Sequence, residues 1–139
     1  MILIINTSQS DQIEIILVKE PVNFKVKKIA GSRQQSEKLL VSINGLLKKN
    51  KIKTSQLKGI GVVSGPGGFT SLRIGIATAN ALAYGLDVPV VGVSAKDFAD
   101  SRGLAAKIFK KMEKAVKGKI VVPVYDREPN ITMKKIKKC

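Results

Sequence analysis

Histidine and tryptophan are absent from this chain, and its single cysteine, Cys139, is the last residue. Without histidine there is no Ser–His or Cys–His nucleophile pair and no imidazole-ligated metal. One thiol forms neither an internal disulfide nor a thiolate zinc site, which fits a reducing compartment. Acids are scarce: 10 Asp and Glu stand against 25 Lys and Arg, a net charge of +15. Such a field favours RNA or an acidic protein face ahead of a membrane, although a lysine-rich proteome leaves the same count. Aromatic residues make up 4%, which weighs against a dedicated single-strand RNA binder. No stretch approaches the ~20 apolar residues of a membrane span, and Met1–Asn6 is too short for a signal core, so a soluble cytoplasmic chain is expected. What is present is enough for one domain with a real core: 139 residues, 44% of them hydrophobic.

The pattern of apolar residues gives an order of elements. "ILIIN" (2–6) reads as a buried strand, and "QIEIILVK" alternates around Ile13, Ile15 and Leu17 as a second, antiparallel one. "FKVKKI" (24–29) follows a turn at Pro21–Asn23 and makes a third. From Ser32 or Gln34 the period becomes helical, with Leu39, Leu40, Ile43, Leu46 and Leu47 as one stripe. "GIGVVS" (59–64) predicts a buried strand, Thr70–Tyr84 a helix capped by Thr70 with Gly85 just past its end, and "VPVVGV" (88–93) a further strand. Ser94 and Asp97 form a capping box for a helix over 95–118, broken near Ser101–Gly103 and carrying Leu104, Ala105, Ile108, Phe109, Met112, Ala115 and Val116 inward. "KIVVPVY" (119–125) reads as a closing strand, with Pro123 at an edge, and 126–139 as a basic tail. The fold class is therefore α/β: a mixed sheet with an antiparallel three-strand meander, then parallel strands and crossover helices. That is the order of ribonuclease-H-like domains and of each lobe of the actin-like ATPases and sugar kinases.

The glycine loop "SGPGGFT" (64–70) invites comparison with a phosphate cradle. No lysine follows it as a P-loop requires, and Thr70 stands where a dinucleotide fingerprint needs glycine. Gly67, Gly68, Thr70 and Arg73 remain as a weak anion site at a helix start; the competing reading is that the glycines only turn the chain. The first strand ends in Asn6, not Asp, and Asp97 and Asp100 are the nearest thing to an acidic pair, so two-metal nuclease chemistry has no ligands. Gly75, Ala79 and Ala83 repeat at i+4 without bulk, leaving either a partner face or a tightly packed interior; Leu72, Ile76 and Leu82 suffice for the sheet side.

"SGPGGFTSLRIGIATANALAYGLDVPVVGVS", with "INTS" near the start, "SEKLL" in the first helix and "PVYDRE" late, resembles the TsaB (YeaZ) family. The resemblance covers residues 1–98 and 120–128. It implies an actin-like fold and a non-catalytic role, with no cofactor, as partner of a TsaD-type enzyme. Together with a TsaE-type ATPase and the enzyme that makes threonylcarbamoyl-AMP, that enzyme installs threonylcarbamoyl-adenosine on tRNA. It also implies dimerisation, with TsaD or with a second copy, through two helices. Carried over, these hold Ser36, Leu39, Leu40 and Ile43, and Phe69, Leu72, Arg73, Gly75, Ile76 and Ala79. Two departures stand out: the family's usual "DTS" is "NTS" here, and the second lobe is replaced by one helix over 95–118. The reading is a single TsaB-like lobe over 1–125 that binds and activates a TsaD-type enzyme, with direct tRNA contact through its basic surface left open. The alternatives are a stand-alone basic ribonuclease-H-like RNA-binding module and, more remotely, a nucleotide-binding enzyme using loop 64–70.

Overall fold

The computed structural model describes residues 1–9, 11–30 and 35–125, leaving aside the side chains at 35 and 36. The helix start at Ser32 or Gln34, the Ser36 side chain and the tail 126–139 lie outside the described residues. The strands are β1 (Ile2–Asn6), β2 (Gln12–Glu20), β3 (Asn23–Ala30), β4 (Gly59–Gly65) and β5 (Val90–Ser94). The helices are α1 (Gln35–Lys49), α2 (Phe69–Leu86) and α3 (Ser101–Met112). One five-stranded sheet runs β3-β2-β1-β4-β5. Its β3-β2-β1 half is antiparallel, and β1, β4 and β5 are parallel. This is the mixed α/β architecture that the order of elements predicts.

The register explains why β1 and β2 are apolar on both sides. Leu3 pairs with Leu17 and Ile5 with Ile15 toward one face, while Ile2 pairs with Val18 and Ile4 with Ile16 toward the other. A strand with helices on both sides has no solvent face, so alternation is lost. β2 accordingly buries Ile16 and Val18 as well as the alternating set named from sequence. On the first face, α1 contributes Leu39, Ile43, Leu46 and Leu47, and α2 contributes Leu72, Ile76, Ala79 and Ala83. On the second, α3 sets Leu104, Ala105 and Ile108 against Ile4, Ile16, Val63 and Val93. It comes close because β4 offers glycine: a Cβ at Gly61 would lie 2.5 Å from Ile108 Cγ2, and one at Gly59 2.5 Å from Met112 Sδ.

Several local expectations change. Leu40 leaves the buried stripe of α1 and is 53% exposed. Thr70 does not cap α2; Gly68 is the first cap residue, and Thr70 sits one residue inside the helix. Gly85 does not end it either. The left-handed position falls on Asp87 (φ 57°), whose N–H bonds back to Ala83 O and Tyr84 O. Ser94 Oγ accepts from Lys96 N–H but caps only a three-residue turn, Ala95–Asp97. The helix starts afresh where a break was expected, with Asp100 Oδ1 accepting from Gly103 N–H at 2.9 Å. It ends at Met112, so no continuous helix spans 95–118. Ala115 and Val116 lie in the turns beyond, and Gly118 adopts φ 91°.

Segment 119–125 is not a strand. It is an extended strap held by single hydrogen bonds, Val124 N–H to Ser64 O at 2.7 Å and a two-point clamp from Asn80. Asn80 Nδ2 donates to Val121 O at 2.9 Å, and Val121 N–H donates to Asn80 Oδ1 at 3.0 Å. Among the described residues no helix is long and apolar enough to cross a membrane.

Candidate functional site

The glycine loop carries the chain from the end of β4 into α2. Gly65 has φ 117°, which only glycine adopts readily, and the Gly65–Pro66 peptide is cis. The space above the loop is filled by the chain itself. A Cβ at Gly65 would run into the Val124 carbonyl, and one at Gly67 into the Ser8 backbone. Gly68 N–H donates to Ser8 O at 3.3 Å. One of the N–H groups that would greet an anion at this helix start is therefore already engaged.

The four residues of the expected anion site are split between two sides of the loop. Gly67 and Gly68 face Ser8, whereas Thr70 and Arg73 are exposed and line an outer groove with Ile74, Ala77 and Thr78. Arg73 is directed at an aromatic face, its Cζ 5.2 Å from the centre of the Phe69 ring. Among the described residues no three His, Cys, Asp or Glu cluster as a metal site.

Beside the loop lies a buried carboxylate that sequence reading did not single out. Glu14 is 6% exposed. Its Oε1 accepts from Asn6 Nδ2 at 3.0 Å, and its Oε2 accepts from Ser101 Oγ. Asn6 Oδ1 in turn accepts from Ser8 N–H at 3.0 Å and Ser8 Oγ at 2.7 Å. The network ties β1, β2 and the first residue of α3 together. It also gives the Asn6 departure a physical reason. The amide donates where an aspartate would set a second carboxylate within bonding distance of Glu14. The signal was that Glu14 shares its face of β2 with Ile16 and Val18, both apolar and both buried, and a carboxylate on a buried face calls for polar partners.

The two helices of the proposed interface are likewise divided. Leu39, Ile43, Leu72, Gly75, Ile76 and Ala79 are buried in the chain's own core. Gly75 belongs there because a Cβ would meet Thr7 Oγ1, the hydroxyl that donates to Ser71 O at 2.6 Å. The low-bulk stripe Gly75, Ala79 and Ala83 is thus interior packing, not a partner face. On the outside stand Leu40, Phe69 (44% exposed) and Arg73, joined by Val41 (72%), Ala77 and the half-buried Ile74. The last three were not foreseen. They were legible as the positions of α1 and α2 left over once the inward stripes are assigned by period alone. Tyr125 stacks on Phe69 with ring centres 4.6 Å apart, fastening the strap to the start of α2.

The sheet order and the helices on its two faces define an actin-like, ribonuclease-H-like lobe. A family model described as "TsaD: tRNA N6-adenosine threonylcarbamoyltransferase" matches residues 28–99, just over half of the 139. YeaZ from Pseudomonas aeruginosa superposes with a TM-score of 0.62 at 29% identity, over 67% of this chain and 43% of that one. The chain belongs to the family of TsaD and TsaB (YeaZ) proteins that this model describes. The tRNA N6-adenosine threonylcarbamoyltransferase of Geotalea daltonii is 46% identical over 64 residues, which are 46% of this chain and 19% of that protein. The Escherichia coli tRNA threonylcarbamoyladenosine biosynthesis protein TsaB is 32% identical over 62 residues, 45% of this chain and 27% of its own length. This chain therefore spans well under half the length of the relatives it matches. T. thermophilus RuvC, solved with a Holliday junction substrate, covers 84% of this chain at a TM-score of 0.53 but 9% identity, a likeness of fold alone.

Proposed function

We propose that this chain is a non-catalytic subunit that binds and activates a TsaD-type enzyme in threonylcarbamoyl-adenosine modification of tRNA, alongside a TsaE-type ATPase. The observation that carries the reading is the outer side of α1 and α2, where Leu40, Val41 and Phe69 stand at the surface and Ile74 is half-buried. Apolar side chains grouped on two packed helices are what a partner helix pair buries. The space above the glycine loop, filled by Ser8, supports a role without nucleotide turnover. In the absence of the enzyme the same face pairs two copies of this chain.

The test is co-purification of the tagged chain with the TsaD-type enzyme from the same genome. Leu40→Asp and Ala77→Arg, both at exposed positions, are expected to weaken the complex by tenfold or more with the circular dichroism spectrum unchanged. Val22→Asp, an equally exposed apolar position outside the face, is expected to leave it intact. Unaltered binding by both face variants would rule out this interface.

A further inference from the structure

A hollow of about 330 Å³ lies where the C-terminal end of α2 meets the turn after α3, lined by Tyr84, Asp87, Lys117, Lys119 and Ile120 among others. Three features in or near it are unexplained by folding. Tyr84 is 91% exposed, so its ring contributes almost nothing to either core. Gly85 beside it lies within the helix, where glycine costs ~1 kcal/mol relative to alanine. It is not the cap residue, and a Cβ there would meet nothing within 4 Å. Finally, cations gather toward this end of the chain. Lys107, Lys110 and Lys114 are exposed, at i, i+3 and i+7 along α3 and its last turn. Lys111 reaches the margin of β5 at Gly92 O, and Lys117 sits 3.2 Å from Asp87 at the end of α2. Of the lysines at this end, Lys117 and Lys119 line the hollow itself. Between Arg102 and Lys119 there are seven basic residues and one acid, Glu113. The dipole of α3 accounts for Lys110 and Lys111 near its C-terminus, but not for Lys107 or for those beyond.

We infer that this hollow binds one nucleotide of a single-stranded or looped RNA, with the base laid on the Tyr84 ring and the flanking phosphates at Lys117 and Lys119. Lysines alone would suit an acidic protein equally well. The open aromatic face among them selects nucleic acid, because every base offers a π-face and an acidic peptide does not. Lys117 and Lys119 both line the hollow beside Tyr84, so a phosphate on either side of the stacked base meets a cation. The hollow lies two turns past Ala77 along the outer side of α2, and the inference does not rest on the partner reading.

Fluorescence anisotropy of the full chain with a labelled unstructured oligoribonucleotide and with a tRNA transcript, at about 50 and 200 mM salt, tests it. Tyr84→Ala is expected to bind roughly five- to a hundredfold more weakly, the range of one lost base stack, and Tyr84→Phe to bind as the parent does. Lys117→Glu with Lys119→Glu is expected to flatten the slope of log affinity against log salt by roughly 1.5–2. The charge-matched pair Lys25→Glu with Lys28→Glu, on exposed positions of β3, is expected to weaken binding far less. The inference is overturned if the chain binds neither RNA at low salt, if Tyr84→Ala binds like the parent, or if the β3 pair costs as much. Loss of the TsaD-type enzyme by Tyr84→Ala with RNA binding unchanged would also overturn it, by making the hollow a protein contact. Retention of the enzyme by Tyr84→Ala with loss of RNA supports it, whatever the face variants of α1 and α2 do.

Discussion

The two faces of the sheet are covered by different means. Under α1 and α2 the space is filled by long aliphatic side chains, with Leu3, Ile5, Ile15 and Leu17 meeting Leu39, Ile43 and Leu72. On the other side a single helix of 12 residues has to cover the same strands, and it does so by lying close over glycines in β4. The first face is held by volume and the second by fit. A loss of atoms should therefore hurt the first most, and a gain of atoms the second.

Leu3→Ala should have the largest effect. The side chain is wholly buried on the two-helix face, and its truncation is expected to cost about 3 kcal/mol in denaturant unfolding. A loss below ~1 kcal/mol would mean that this face collapses into the gap and is not held by volume. Next comes Gly61→Ala, expected to cost about 1–3 kcal/mol. The new methyl meets Ile108 at Cγ2, a branch next to the main chain that has nowhere to turn. Gly59→Ala should cost less, because its neighbour is the flexible thioether end of Met112. Equal losses at the two glycines would mean that the flexibility of Met112 does not soften the fit, and no loss at either would mean that this face is not held by fit at all. The smallest effect is expected from Asp100→Ala, about 1 kcal/mol, which removes the bond to Gly103 N–H that starts α3. Amide exchange should localise it to the first turn of that helix, leaving α1 and α2 unchanged.

What could be read in advance followed the strength of the period. β2 and α1 were legible from the period of their apolar residues and β1, β4 and β5 as short apolar runs between turn residues, and the order they give is the observed one. The facing of α2 is open in the sequence, because size alone does not say which side is inward. Leu72, Gly75, Ile76, Ala79 and Ala83 all lie on one helical stripe, and the small members face inward because β1 brings Thr7 up against them. Closing helix and closing strand were both misread, for a different reason. A serine cap and a valine run are local signals, and local signals do not say whether a helix continues past one turn or whether an extended segment finds a full ladder partner. Glu14 lay in plain view between two buried isoleucines, yet its partners come from residues 6 and 101, which only the fold brings together.

The bond from Lys111 to Gly92 has a consequence for how the molecule behaves in a crowd. Among the described residues β5 is the last strand on its side, and the Gly92 carbonyl is met by an ammonium group at 2.6 Å. At the opposite margin β3 carries Lys25, Lys27 and Lys28. A strand from a neighbouring molecule would have to displace or bury these charges in order to pair. Both open margins are thereby poor templates, and the sheet is held at five strands at concentrations where bare edges would recruit a sixth.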